Sequence, residues 1–499
     1  MALRALLPTP GARLSPTRTF ALVLVVVALG CGAYAVARPD STREADDEQP
    51  ELHTALWSPR RVPQPLVDAV GAQRLQAELD AAVAVGGVET CFVVTEGGAP
   101  LATHGTDLAL IPASTQKLLT AAVALAVLGP DATLDTVAVA AQAPDGGTVE
   151  KLFLVGGGDP LVMTPEVQAA REQIPELRGT PTTSLAALAD SIVAAGVKRI
   201  PQGIAGDDSR YEDLRYLPTW DSDYRTEGQV GPIGALTVNS GFREFRPKPV
   251  AADDPAIFAA EKLGELLEAR GVDVGSGPSH EKAPEGAVEV AKVSSPPIKD
   301  LVGEELSTSD NLGSEMITRE IGLRTSQLGT TAAGTQAITA ELVELGLPTT
   351  NAVVVDGSGL DKSNRSTCAL LAAVIDLGLQ PQFAPLLDGL SIAGERGTLV
   401  DQLSSNLDGK VRGKTGTLEG ASALAGVVDV TRPLRFAFLA NGALGSEQNA
   451  IAFRGRIVDI IATFPNAPPA DELVPAPGAG TTPSTTASAT PSTTAVSQP

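Results

Sequence analysis

A hydroxyl and an amine held together can carry out acyl transfer if the amine is free to take the hydroxyl proton, and Pro112-Ala-Ser-Thr-Gln-Lys117 offers such a pair. Ser114 stands where a helix is expected to start and Lys117 lies one turn on, so the two side chains share a face within hydrogen-bonding reach. The run that follows, Leu118 to Leu128, is apolar and stops at Gly129-Pro130, the pattern of a buried helix. An ammonium carried into that setting is costly to bury, so the Lys117 pKa should fall toward the range of a general base. Read instead as a solvated lysine at a helix start, the pair does nothing. A second copy, Ser279-His-Glu-Lys282, sits in a Gly/Pro loop without the helix.

Two further segments could join the pair. Ser309-Asp-Asn311 precedes Leu312-Gly-Ser-Glu-Met-Ile317, where another helix begins; alone it reads as a helix cap, and Ser404-Ser-Asn406 repeats the pattern in a polar turn. Lys414-Thr-Gly416 occurs once, inside the strand-like Val411 to Leu418. A phosphate loop does not fit there, because the position that must be glycine is Asp408. Only His53, His104 and His280 exist, and there is no Gly-x-Ser-x-Gly elbow, so a serine–histidine triad is not expected. Histidines and cysteines never fall at ligand spacing, so neither a metal nor a cofactor is expected. What remains is a serine assisted by lysine.

These residues need a scaffold. Val88 to Val94 reads as a strand, and the pair Ala421 to Val430 and Leu434 to Asn441 would complete its sheet. After Asp131 come Gly-rich turns and short strands, then helices at Ser184 to Ala195 and Pro255 to Arg270, and a loop around Gly275 to Gly286. The expected organisation is a discontinuous catalytic domain over 66–135 and 288–465, interrupted by an inserted module at 136–287. A charged, proline-bearing stalk (39–65) and a disordered Pro/Thr/Ser tail (466–499) flank it.

Residues 20–37 are apolar, preceded by Arg4, Arg13 and Arg18 and followed by acidic residues. About 18 such residues can just cross a hydrocarbon core of about 30 Å, so residues 1–38 are expected to export the chain and hold it on the outer face of the membrane. Cleavage of this segment after Ala33-Tyr-Ala35 is the alternative. A net charge of −22, with aromatics at 3%, argues against a nucleic-acid partner. Cys91 and Cys368 could bridge outside the cytoplasm, but each lies in an apolar stretch, and free buried thiols are the expectation.

The three motifs, in this order, resemble those of the penicillin-recognising serine hydrolases. Together with Gly156-Gly-Gly-Asp-Pro160 and Asp356-Gly-Ser-Gly-Leu360, they are similar to the D-alanyl-D-alanine carboxypeptidase/endopeptidase branch, the class C low-molecular-mass penicillin-binding proteins, over about residues 66 to 465. The long stretch between Ser114 and Ser309 leaves room for the insert of that branch.

The resemblance implies an α+β, β-lactamase/transpeptidase-like catalytic domain, an antiparallel sheet flanked by helices, with a mixed, strand-rich insert between the first two motifs. It implies that Ser114 is acylated by peptidoglycan stem peptides ending in D-Ala-D-Ala, by D-alanyl cross-links and by β-lactams, with Lys117 as base. Ser309 would relay a proton to the leaving amine, and Asn311 would hold the substrate amide or orient Lys117. Lys414 and Thr415 would bind the terminal carboxylate, with Lys414 also lowering the Lys117 pKa. The N–H groups of Ser114 and Thr417 would form the oxyanion hole, and Gly416 would leave space for the substrate strand. Asp207 resembles an insert position that touches the diaminopimelate end of the stem, or else caps a turn. Gly394-Glu-Arg-Gly-Thr-Leu399 and Asp361-Lys-Ser-Asn364 look like variants of family loops. Two rivals stand beside this reading: a catalytically silent wall-binding scaffold and a β-lactamase-like hydrolase.

Overall fold

A computed structural model describes residues 64–466; the apolar run 20–37, the stalk as far as 63 and the tail from 467 lie outside the described residues. Helix α1 (Gln64–Val83) precedes strands β1 (Val88–Glu96) and β2 (Ala99–His104), and a 3-10 turn over Ala113–Gln116 runs into α2 (Lys117–Val127). Next come β3 (Asp135–Ala140), β4 (Leu152–Val155), α3 (Leu185–Ala194), β5 (Ile204–Asp207), α4 (Pro255–Glu268), β6 (Ser279–His280) and β7 (Val288–Ser294). Four helices follow, α5 (Ile298–Thr308), α6 (Asn311–Ser326), α7 (Thr331–Glu344) and α8 (Cys368–Leu377). The last elements are β8 (Ser391–Ile392), β9 (Val411–Leu418), β10 (Ala421–Asp429), β11 (Pro433–Gly442) and α9 (Glu447–Ile461).

Alternation of side chains along the strands explains the larger sheet. Cys91 and Val93 of β1, Ala423 and Ala425 of β10, and Ala437 and Leu439 of β11 enter one buried cluster with α2, α5, α6 and α8. Their neighbours Phe92, Val94, Leu424, Phe436 and Phe438 enter another, filled by Leu75 and Leu79 of α1 and Ile457 and Ile461 of α9. Helices cover both faces, which is why these strands read as apolar runs in the sequence. The six-stranded sheet is antiparallel in the order β8-β9-β10-β11-β1-β2. Strand β8 meets β9 only at Gly413 and Arg412, so among the described residues no strand flanks 414–418 on that edge.

A second, mixed sheet has the order β6-β5-β4-β3-β7, with β5 parallel to β4 and β6, and β3 antiparallel to β4 and β7. Ala138, Leu152, Leu154 and Ile204 pack there against Leu188 and Ile192 of α3 and Ala259 and Leu263 of α4. The strand Val288–Ser294, expected to open the catalytic segment, pairs instead with Asp135–Ala140, so this sheet passes the expected limits of 136–287 at both ends. Pairing of the entering and leaving strands returns the chain to where it left.

Free thiols are not what the structure contains: Cys91 of β1 and Cys368, the first residue of α8, form a disulfide with Cα atoms 5.9 Å apart. Both cysteines are fully buried, as their apolar surroundings implied, but that α8 starts against β1 is a property of the packing. The bridge closes a separation of 277 positions and so restricts the unfolded chain. Replacing both cysteines with alanine is expected to cost about 2–5 kcal/mol, read as a lower midpoint of thermal unfolding; an unchanged midpoint would show that the bridge contributes nothing.

Candidate active site

The turn that carries Ser114 is clamped from several sides. Asn441 of β11 accepts from the Ile111 N–H at 2.6 Å and donates to the Ile111 carbonyl at 3.2 Å. Thr115 Oγ1 donates to Pro112 O at 2.7 Å. Ala113 is held at φ +47°, a region that is unfavourable for any residue but glycine. Behind it passes Gly359, where a Cβ would come within 1.9 Å of Ala113 O; glycine is required because the two backbones touch.

Lys117 is the first residue of α2, and its Nζ lies 3.2 Å from Ser114 Oγ, 2.6 Å from Asn311 Oδ1 and 2.7 Å from Ser358 O. A neutral amine has two protons and one lone pair. Asn311 and Ser358 take the two protons, which leaves the lone pair facing the Ser114 hydroxyl. Burial lowers the Lys117 pKa to about 8, against the charges of Glu305, Asp356, Glu315 and Asp310, all of which favour the ammonium. The same burial pushes the Glu305 and Glu315 carboxyls up to about 8.

Ser309 ends α5 in a left-handed conformation, φ +65°, which turns its side chain toward β9. Lys414 Nζ donates to Ser309 Oγ and to Thr415 O, each at 2.9 Å. The Lys414 amine is fully buried, and burial first, then the charge of Lys117, holds its pKa well below the ordinary lysine value. The expected influence of Lys414 on Lys117 is therefore recast: burial depresses Lys117, and the repulsion between the amines falls on Lys414.

Strand β9 runs beside Ser114. A Cβ on Gly416 would lie 2.8 Å from Pro112 O and 3.1 Å from Ser114 N, so the missing side chain makes room for the Ser114 turn, where the sequence suggested room for substrate. Gly416→Ala is expected to displace that turn and lower the acylation rate by about 100-fold while the unfolding midpoint changes little; a normal stopped-flow acylation rate would contradict this. Thr417 Oγ1 accepts from Arg454 of α9 at 2.6 Å, and the same guanidinium group donates to Gly416 O at 3.1 Å.

The structure thus brings together Ser114, Lys117, Ser309, Asn311, Lys414, Thr415, Gly416 and Thr417. Asp207 makes no hydrogen bond to them: its carboxylate accepts from the N–H groups of Ser209 (2.9 Å) and Ala283 (2.7 Å), the turn-capping alternative. The insert reaches the site through other residues. Asn311 Nδ2 donates to Gln229 O at 2.8 Å, and Trp220 Nε1 donates to Asp356 Oδ2 at 2.9 Å. A cleft of about 480 Å³ opens beside Thr417, lined by Asp221, Asp223, Glu227, Glu419 and Lys362. Sequence reasoning missed Arg454, Asn441, Ser358, Gln229 and Trp220. For Ser358 and Gly359 a signal existed, since they lie within the singled-out Asp356-Gly-Ser-Gly-Leu360; for the others there was none. Of the duplicate motifs, Ser279 Oγ donates to Glu281 and Ser404 Oγ to Asp459, both exposed.

The described histidines lie elsewhere, His104 on Asp80 and Phe92, and His280 on Asp208 and Asp254. The side chain that contacts the Ser114 hydroxyl is Lys117, an arrangement that fits the class of serine hydrolases assisted by a lysine. The chain belongs to the D-Ala-D-Ala carboxypeptidase 3 (S13) family, whose model matches residues 73–251 and 243–463. It is 33% identical to a carboxypeptidase of Mycobacterium tuberculosis over 69% of this chain and 74% of that one. It is 30% identical to the carboxypeptidase DacB of Mycolicibacterium smegmatis over 86% of this chain and 93% of that one. The fold matches penicillin binding protein 4 (dacB) of Haemophilus influenzae with a TM-score of 0.64 at 19% identity, covering 78% of this chain and 99% of that one.

Proposed function

We propose that this enzyme cleaves the bond after the penultimate D-alanine of peptidoglycan stem peptides, as carboxypeptidase and as cross-link endopeptidase, through an acyl-enzyme at Ser114. The observation that carries the reading is the placement of the Lys117 amine 3.2 Å from Ser114 Oγ, with Asn311 and Ser358 as its other two partners, so that once neutral its lone pair faces the Ser114 hydroxyl. Ser114 Oγ attacks the carbonyl carbon as its proton passes to Lys117. The C–N bond then breaks as the leaving amine takes a proton from Ser309, which is reprotonated from the Lys117 ammonium, so Lys117 is neutral again; Ser309 Oγ accepts from Lys414 at 2.9 Å. Water attacks the ester as one of its protons passes to Lys117; the bond to Ser114 Oγ then breaks, Lys117 returns that proton to the oxygen, and the acid leaves.

The open edge of β9 favours binding of the substrate as an added strand. The N–H groups of Ser114 and Thr417 face its carbonyl oxygen, and each such donor contributes about 3–4 kcal/mol in comparable acyl transfers. The substrate carboxylate binds Lys414 and Thr415. Its negative charge restores the proton on Lys414, and the repulsion between the amines then discharges Lys117, so a substrate with a carboxylate prepares its own base. The acidic cleft beside Thr417 suits a cationic end of the stem peptide better than does Asp207. Residues 20–37 tether the enzyme to the outer face of the membrane, and the insert borders the site through Gln229 and Trp220.

Incubating the full chain with uncross-linked and cross-linked stem peptides is expected to release free D-alanine and monomers. With penicillin it is expected to form a covalent adduct that recovers slowly. Sustained turnover of nitrocefin without D-alanine release would establish the β-lactamase reading, and no reaction with either would establish the scaffold.

A further inference from the structure

The loop Gly394 to Leu399, singled out in the sequence but given no role, runs behind Thr415 and completes a row of hydroxyls. Ser391 Oγ donates to the main-chain oxygen of Ser307 at 2.8 Å. That oxygen has no proton to offer, so the direction of the bond is settled. Ser391 Oγ accepts from the Thr398 N–H at 3.1 Å and lies 3.0 Å from Thr398 Oγ1, which in turn lies 2.8 Å from Thr415 Oγ1. The row is tightly packed: Gly397 is at φ +67°, and a Cβ there would come within 2.5 Å of Ser307 O and 2.7 Å of Ser391 Oγ.

Each hydroxyl has one proton, which gives the row two settings. In the first, Thr398 donates to Ser391 and Thr415 donates to Thr398, turning the Thr415 proton away from Lys414. In the second, Thr398 donates to Thr415, and the Thr415 proton is free to point at an acceptor beside Lys414. Switching rotates two O–H bonds and transfers no proton. A carboxylate only accepts, so it selects the second setting and gains a charge-assisted bond.

We propose that Thr398 is a positioning residue for recognition of the substrate's terminal carboxylate: by donating to Thr415 it turns the Thr415 proton onto that carboxylate, with Ser391 and Ser307 anchoring the row. The proposal rests on the reading that Thr415 contacts the carboxylate, and the test separates the two. KM and kcat are measured for D-alanine release from an acyl-D-Ala-D-Ala peptide and for release of the amide from the same peptide with a C-terminal carboxamide. Thr415→Val is expected to raise KM for the acid and not for the amide; equal effects on both would remove that reading and the proposal with it. Given the expected Thr415→Val result, Thr398→Val, which keeps the shape and loses the proton, should raise KM for the acid about tenfold, leaving kcat and the amide nearly unchanged. Thr398→Ser should restore the acid KM. If Thr398→Val acts equally on acid and amide, if Thr398→Ser is as impaired as Thr398→Val, or if the acid KM stays at the wild-type value, the proposal alone is overturned. A general loss of structure would appear as the equal effect.

Discussion

Ser114→Ala is expected to abolish the covalent penicillin adduct and to lower D-alanine release by about six orders of magnitude, the scale seen when the nucleophile of a serine hydrolase is removed. The side chain is small and stands on a turn held by Asn441, Thr115 and the close approach of Gly359. Its removal should therefore leave the unfolding midpoint close to wild type, and the loss reports chemistry rather than folding. Intact-mass measurement after incubation with penicillin decides the matter. An adduct persisting in Ser114→Ala would mean that another nucleophile is acylated, and the Lys117 geometry would then have no bearing on catalysis.

The second large effect concerns the base. Lys117→Met keeps the length of the side chain and removes the amine, and acylation is expected to fall about 10⁴-fold. The pH dependence carries the sign. The base works as a neutral amine, and burial lowers its pKa to about 8, so kcat/KM should rise with pH and level off above about pH 8, falling about tenfold per unit below it. Bound substrate restores the charge on Lys414, which lies near enough for the two amines to repel. The acid limb of kcat should therefore lie at lower pH than that of kcat/KM. A pH-independent rate between about pH 6 and 9 would contradict Lys117 as the base.

Local order was legible in the sequence because it follows from chain connectivity. Ser114 and Lys117 must meet once the residues between them form a helical turn, and apolar runs such as Ala421 to Val430 must be buried strands wherever their sheet lies. The types in Lys414-Thr-Gly416 and Ser309-Asp-Asn311 named the remaining chemistry through their family resemblance. Packing settled what connectivity does not. It brought Ser309, on a left-handed helix end, within 2.9 Å of Lys414, and it joined Cys91 to Cys368, where isolated stretches suggested free thiols. It drew Val288–Ser294 into the second sheet and occupied Asp207 with two backbone amides. It also supplied Arg454, Asn441 and the hydroxyl row behind Thr415, none of which has a sequence spacing to betray it. Residue types name the groups that can react; packing sets which of them meet, and the pKa of each, because distance and dielectric depend on neighbours far away along the chain.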